Sequence, residues 1–263
     1  MPLMQSQAAL IEVSGEQQYV GGTLKTVLGG GDDANFGTAV AGTSYAVFDM
    51  TKDGGDYADL KVSYSADNGS IGSKVLIAQT SDSQGMTDDG TVTILLNIAN
   101  NNGGGGTFTF DWDTPGSFVD GLYTSGSLLN DKILYTTFDI DYNQFVAMNN
   151  SDLEYYALND PTLLHADLTE VPGTVRLEDV NGNSTVDNPQ TAGQFMTVGS
   201  SSHQISMGKQ SDDGNALFMF EFRDPSALIG FTPVPISVPE PTSVAMSALV
   251  LTAAFWIRRR FIS

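Results

Sequence analysis

The feature that most limits what this chain can become is an alternation of apolar and polar residues with a period of two. It recurs in Thr43–Met50, Leu60–Ser65, Lys74–Gln79, Thr91–Ile98, Thr107–Trp112, Ile133–Ile140, Gln144–Met148, Gln194–Val198, His203–Met207 and Ala216–Phe222. Successive strand side chains point to opposite faces, so each segment has one face to bury and one to leave in water. Helical periodicity is scarce; Asp160–Leu168 is the one segment expected to form a short helix. Phe108, Phe110 and Trp112 share a face, with Thr107, Thr109 and Asp111 opposite, and Phe218, Phe220 and Phe222 repeat the pattern. Such stripes are expected to fill a core between sheets; the alternative is a platform on which sugars stack.

Turn-forming clusters separate these segments: Gly29-Gly30-Gly31-Asp32-Asp33, Asp53-Gly54-Gly55-Asp56 and Asp67-Asn68-Gly69, with an Asn- and Gly-rich loop over residues 100–106. Many short strands joined by such turns predict an all-β antiparallel body, a sandwich or jelly roll, over residues 10–230. Residues 231–238 contain Pro233 and Pro235 and read as a stiff linker. There is no cysteine, so the core must hold without disulfides.

The chain carries 11 basic and 31 acidic residues, a net charge of −20. Three of the basic residues sit at the extreme C-terminus, so the body is more acidic still. A surface of that sign repels nucleic acid and anionic lipid. Asp outnumbers Glu by 24 to 7. Asp suits turns and oxygen-rich cation sites, whereas Glu suits helices.

The last 25 residues have a different character. Pro239-Glu240-Pro241 is followed by an apolar run from Thr242 to Ile257 and then by Arg258-Arg259-Arg260. As a helix the apolar run would reach about 24 Å, short of a bilayer core of about 30 Å. Trp256 stands where an indole favours the membrane interface, and the Arg triplet would stay cytoplasmic, leaving the body outside. The motif Val238-Pro239-Glu240-Pro241-Thr242-Ser243, the apolar helix 242–257 and the Arg triplet, in that order, resemble the PEP-CTERM sorting signals over residues 239–263. The resemblance implies an exosortase-type membrane protease as partner, transient anchoring in a bacterial inner membrane, and release to the surface or matrix of a polysaccharide-producing bacterium. It implies no activity for the body.

An exported chain needs a leader. Residues 1–9 have neither a basic start nor a long apolar run, yet Ser6-Gln7-Ala8 fits the small-x-small pattern before a signal-peptidase cut. They are expected to be the end of a signal peptide or a disordered terminus.

The best local motif for chemistry is Asp179 to Gln190. Asp179, Asn181, Asn183, Thr185 and Asp187 fall at positions one, three, five, seven and nine of a twelve-residue Ca²⁺ loop, and the segment resembles a dockerin or EF-hand loop. Ser184 replaces the Gly at position six, and Gln190 replaces the bidentate acid at position twelve. The alternative is a loop held by its own Asx turns. Asp139, Asp141 and Asn143 share one strand face, as do Asp111 and Asp113; either set could hold Ca²⁺ or form a glycosidase pair, or be a solvated sheet face. Nucleophilic catalysis has little support, with no Cys, no Gly-x-Ser-x-Gly elbow and only His165 and His203. The expectation is a non-enzymatic envelope or matrix protein, structural, adhesive or glycan-binding. The alternative is a polysaccharide-active hydrolase or lyase with paired carboxylates beside Trp112 on an open sheet.

Overall fold

The computed structural model describes residues 10–14, 18–20, 37–38, 42–43, 45–68, 71–79, 93–100, 104–119, 122–123, 129–138, 140–141, 143–180, 189–210, 215–223 and 231–236. The strands in chain order are Leu10–Val13 (β1), Gln18–Val20 (β2), Gly37–Thr38 (β3), Tyr45–Lys52 (β4), Gly55–Asn68 (β5), Ile71–Gln79 (β6), Thr93–Asn100 (β7), Gly104–Asp113 (β8), Phe118–Val119 (β9), Leu122–Tyr123 (β10), Leu134–Phe138 (β11), Gln144–Asn149 (β12), Leu153–Asn159 (β13), His165–Asp167 (β14), Thr174–Glu178 (β15), Gly193–Thr197 (β16), Ser202–Lys209 (β17), Asn215–Arg223 (β18) and Phe231–Pro235 (β19). Every alternating segment of the sequence lies on one of them. Among the described residues the architecture is all-β, and every strand pair is antiparallel.

Following the pairs gives two arrays, beside a separate short hairpin of β9 and β10. One runs β2-β4-β5-β8-β17-β12-β15-β14. The other runs β3-β6-β7-β18-β11-β16-β13-β19. Strand β1 bonds to both, placing Ile11 opposite Lys52 of the first and Phe222 of the second.

The alternation explains the packing. Phe48, Leu60, Val62, Phe108, Phe110 and Trp112 of the first array face Tyr135, Phe195, Phe218, Phe220 and Phe222 of the second, and all are buried in one cluster. Rings from the two arrays meet edge-on: Trp112–Phe222 at 5.2 Å and Phe110–Tyr135 at 5.6 Å between centroids. Each such pair adds about 0.5–1.5 kcal/mol beyond the area it buries. The hairpin between β4 and β5 turns on Asp53 and Gly54, both with positive φ, as a two-residue loop that continues the strand twist requires.

Three segments differ from expectation. Residues 100–106 are not all loop: Asn100 ends β7 and Gly104–Gly106 begin β8, paired with Lys209, Gly208 and Met207. Asp160–Leu168 is not a helix: it opens with a cis Asp160–Pro161 peptide bond and continues into β14, where His165, Ala166 and Asp167 pair with Glu178, Leu177 and Arg176. A residue before proline avoids the helical region, and sheet pairing outweighs the weak helical pattern. Nor is residues 231–238 a linker from its start. Phe231–Pro235 is an edge strand on β13, with Pro233 opposite Ala157 and Pro235 opposite Tyr155. An edge strand needs every second N–H only; the prolines take the outward positions. Residues 1–9 and the tail motif, helix and Arg triplet of 239–263 lie outside the described residues.

Candidate functional site

The face of the first array turned away from the core is polar, and register sorts it into three rows across β4, β5, β8 and β17. Tyr45, Ser63, Thr109 and Gln204 form one row; Val47, Lys61, Asp111 and Ser202 the next; Asp49, Asp59 and Asp113 the third. The inward neighbours on the same strands are apolar, so these positions, the buried Val47 apart, are the polar half of the period-two pattern.

A groove of about 440 Å³ opens on this face, lined by Gly42, Thr43, Tyr45, Lys61, Ser63, Tyr64 and Ser65. Lys61 Nζ lies 5.1 Å from the centroid of the Tyr45 ring and 3.9 Å from Asp111 Oδ2. Asp111 also accepts a 2.7 Å hydrogen bond from the Ser202 hydroxyl. The Ser65 and Thr109 hydroxyls bond to one another, as do those of Thr107 and Ser206 at 2.9 Å. The groove thus combines one aromatic ring, one ammonium and several hydroxyls on strands that cannot easily move. Such a surface can hold a polyhydroxylated ligand by stacking and hydrogen bonding.

Next to it Asp113 is fully buried, and neither carboxylate oxygen has a hydrogen-bond partner. Its pKa is raised, first by burial and then by the charges of Asp111 and Asp59, with Lys61 partly offsetting them. Asp59, directly across from it on β5, is also buried.

Trp112, expected in the core, is there. Its indole N–H donates to Tyr135 Oη at 2.6 Å, and Tyr135 Oη stands 3.0 Å from His203 Nδ1. Tyr135 Oη thus bridges the Trp112 indole and His203 Nδ1, the direction of the second bond following the tautomer of the ring. Burial holds the His203 pKa below its ordinary value. His203 therefore serves the core rather than a serine, and its neighbour Ser202 points to the opposite face. With Trp112 sealed inside, the sugar platform that the enzymatic alternative required beside it is absent from this site.

The structure brings the two other acidic motifs together. Asp179 and Asp141 are both buried. Asn143 N donates to Asp179 Oδ2 at 3.4 Å, and Gln144 Nε2 to Asp141 Oδ1 at 3.0 Å. Asn143 takes positive φ there, as Asn tolerates better than most residues. Asn181, Asn183, Thr185 and Asp187 of the candidate Ca²⁺ loop lie outside the described residues, as does Asp139. Among the described residues no three His, Asp or Glu side chains are gathered as a metal cluster would need.

The groove residues Tyr45, Lys61 and Ser63 went unremarked in the sequence. Their signal was present as the outward positions of Thr43–Met50 and Leu60–Ser65, but nothing in one strand shows which neighbours register will place beside it.

No family model matches the chain, and no curated protein does. Among solved structures, the N-terminal domain of the Streptococcus gordonii adhesin Sgo0707 aligns with a TM-score of 0.47 and 11% identity, over 82% of this chain and 60% of that one. Glucan binding protein C of Streptococcus mutans aligns with a TM-score of 0.36 and 10% identity, over 78% of this chain and 66% of that one. The chain spans less than two thirds of either.

Proposed function

We propose that this is a non-catalytic adhesive protein of the bacterial envelope or extracellular matrix, exported and sorted through its C-terminal segment, whose body holds neutral extracellular polysaccharide on the polar face of the first array. The observation that carries the binding half is the groove in which the Tyr45 ring, the Lys61 ammonium and the hydroxyls of Thr43, Ser63 and Ser65 converge. Its volume suits a short stretch of glycan, and its parts suit sugars: a ring for the apolar face, hydroxyls for the rest. The charge of the chain disfavours polyanionic polymers. Binding is favoured over turnover because the nearby Asp111 is engaged with Lys61 and Ser202, while Asp113 is closed to any substrate. The sorting half rests on Pro239-Glu240-Pro241, the apolar run and Arg258, Arg259 and Arg260, which suit an exosortase-type protease.

A glycan array with a panel of neutral polysaccharides tests the first half. Tyr45→Ala and Lys61→Ala should each weaken binding about tenfold, equivalent to about 1.4 kcal/mol. Binding to no glycan, or binding indifferent to Tyr45→Ala, would sink it. For the second half, replacing Pro239, Glu240 and Pro241 by Ala should leave unprocessed protein in the membrane fraction; unchanged processing refutes the sorting reading.

A further inference from the structure

We propose that the ligand of the groove is an extended, neutral, β-linked glycan of at least four sugar units, lying across the strands from Tyr45 over Ser63 and Thr109 to Gln204. This rests on the glycan-binding reading of the groove and adds the direction, the length and the far contact of the bound chain.

Register sets these four side chains in one row on β4, β5, β8 and β17. Neighbouring strands lie about 4.8 Å apart, so the row is about 14 Å long. Its Tyr45 and Ser63 end lines the groove. Thr109, half-buried, and Gln204, exposed, continue it across the sheet.

The rows on either side are closed on themselves. On one, Lys61 stands 3.9 Å from Asp111, and Ser202 donates to the same carboxylate. On the other, Thr107 and Ser206 bond hydroxyl to hydroxyl, and Ser65 is tied to Thr109. Between them, Tyr45 Oη, Ser63 Oγ and the Gln204 amide have no hydrogen-bond partner among the described residues. Polar groups left unpaired by the protein are satisfied by solvent or by a ligand. The row is a lane of open donors and acceptors between two lanes of engaged ones, and it points across the strands.

A lane of this shape selects among sugars. Pyranose rings joined through equatorial bonds make a straight chain, and each ring advances it by close to one strand spacing. Rings joined through axial bonds coil away from a line. In the straight chain one ring stacks on Tyr45, the next two meet the hydroxyls of Ser63 and Thr109, and the fourth meets the Gln204 amide, which both donates and accepts.

Linear cello-oligosaccharides of two to six units, titrated calorimetrically against the full chain, test this, with maltohexaose as the coiled comparison. Affinity should rise with each unit up to four and then level off. Gln204→Ala should weaken cellotetraose about fivefold, as the loss of one hydrogen bond does, and leave cellobiose unchanged. Its melting temperature should match wild type, because the side chain is exposed and holds no partner. Tyr45→Ala should weaken both sugars. Affinity that is level from cellobiose upward, or cellotetraose binding indifferent to Gln204→Ala, overturns the lane while a loss in Tyr45→Ala keeps the groove. Maltohexaose bound as well as cellohexaose overturns the lane in the same way. Binding of neither series also overturns it, and the polysaccharide array then decides the groove by itself.

Discussion

At the scale of single residues, the most consequential group is one that does no surface chemistry. Tyr135 joins Trp112 of one array to His203 through its hydroxyl, inside the core where no water substitutes. Tyr135→Phe keeps the ring and its packing but strands the indole N–H and His203 Nδ1. Stranding a buried polar group costs about 1–3 kcal/mol, so urea unfolding should show a loss in that range with an unchanged m-value. The pH dependence has a definite sign. The folded pKa of His203 is depressed by burial. Its contribution is therefore fully present above the ordinary His pKa and lost as pH falls through the folded value. His203→Gln should remove that part of the acid sensitivity. None of this network was legible in the sequence beyond the inward face of Trp112, because Tyr135, Trp112 and His203 come from three distant segments that only register brings together.

At the scale of elements, period-two alternation was a reliable guide where strands have one wet face, and a poor one where they do not. Leu153–Asn159 went unread because a register irregularity between Leu153 and Tyr155 breaks its alternation. Thr174–Glu178 offers only Val175 and Leu177 as inward apolar residues, too few to stand out. Gly104–Gly106 looked like loop by composition, yet it pairs with Lys209, Gly208 and Met207, and a methyl group on Gly105 would press into the Met207 carbonyl. Phe231–Pro235 was hidden by its prolines. That strand yields a prediction of its own: it covers the edge of β13, so truncation after Arg223 should lower the melting temperature and expose an edge prone to self-association. Truncation after Ile236 keeps the strand and is the reference for that comparison. Calorimetry and light scattering on the two forms check this.

At the scale of the whole molecule, charge and topology decide behaviour together. A net charge of −20 on one chain opposes compaction through self-repulsion. Raising NaCl from 20 mM to 500 mM shortens the screening length to a few ångströms and should raise the melting temperature of the EDTA-treated protein by several degrees; a fall would mean that favourable ion pairs outweigh the repulsion. Topology sets the rate. Strand β1 pairs with β18, with Leu10 opposite Arg223, more than two hundred positions away in the chain. Contacts so distant along the chain place folding among the slow all-β cases.

The edge position of β19 also has a mechanical meaning. Its bonds to β13 lie side by side, from Phe231 opposite Asn159 to Pro235 opposite Tyr155, and Ile236 N adds a bond to Glu154 O just beyond. A pull on the chain beyond Ile236 enters the body at that end. Directed along the strand, it loads the whole ladder in shear, and the bonds resist together. Directed away from the sheet, it opens them one at a time, beginning at Ile236. The same five-residue strand is thus a firm grip in one direction and a zipper in the other, so the angle of traction would decide whether the body holds or begins to come apart.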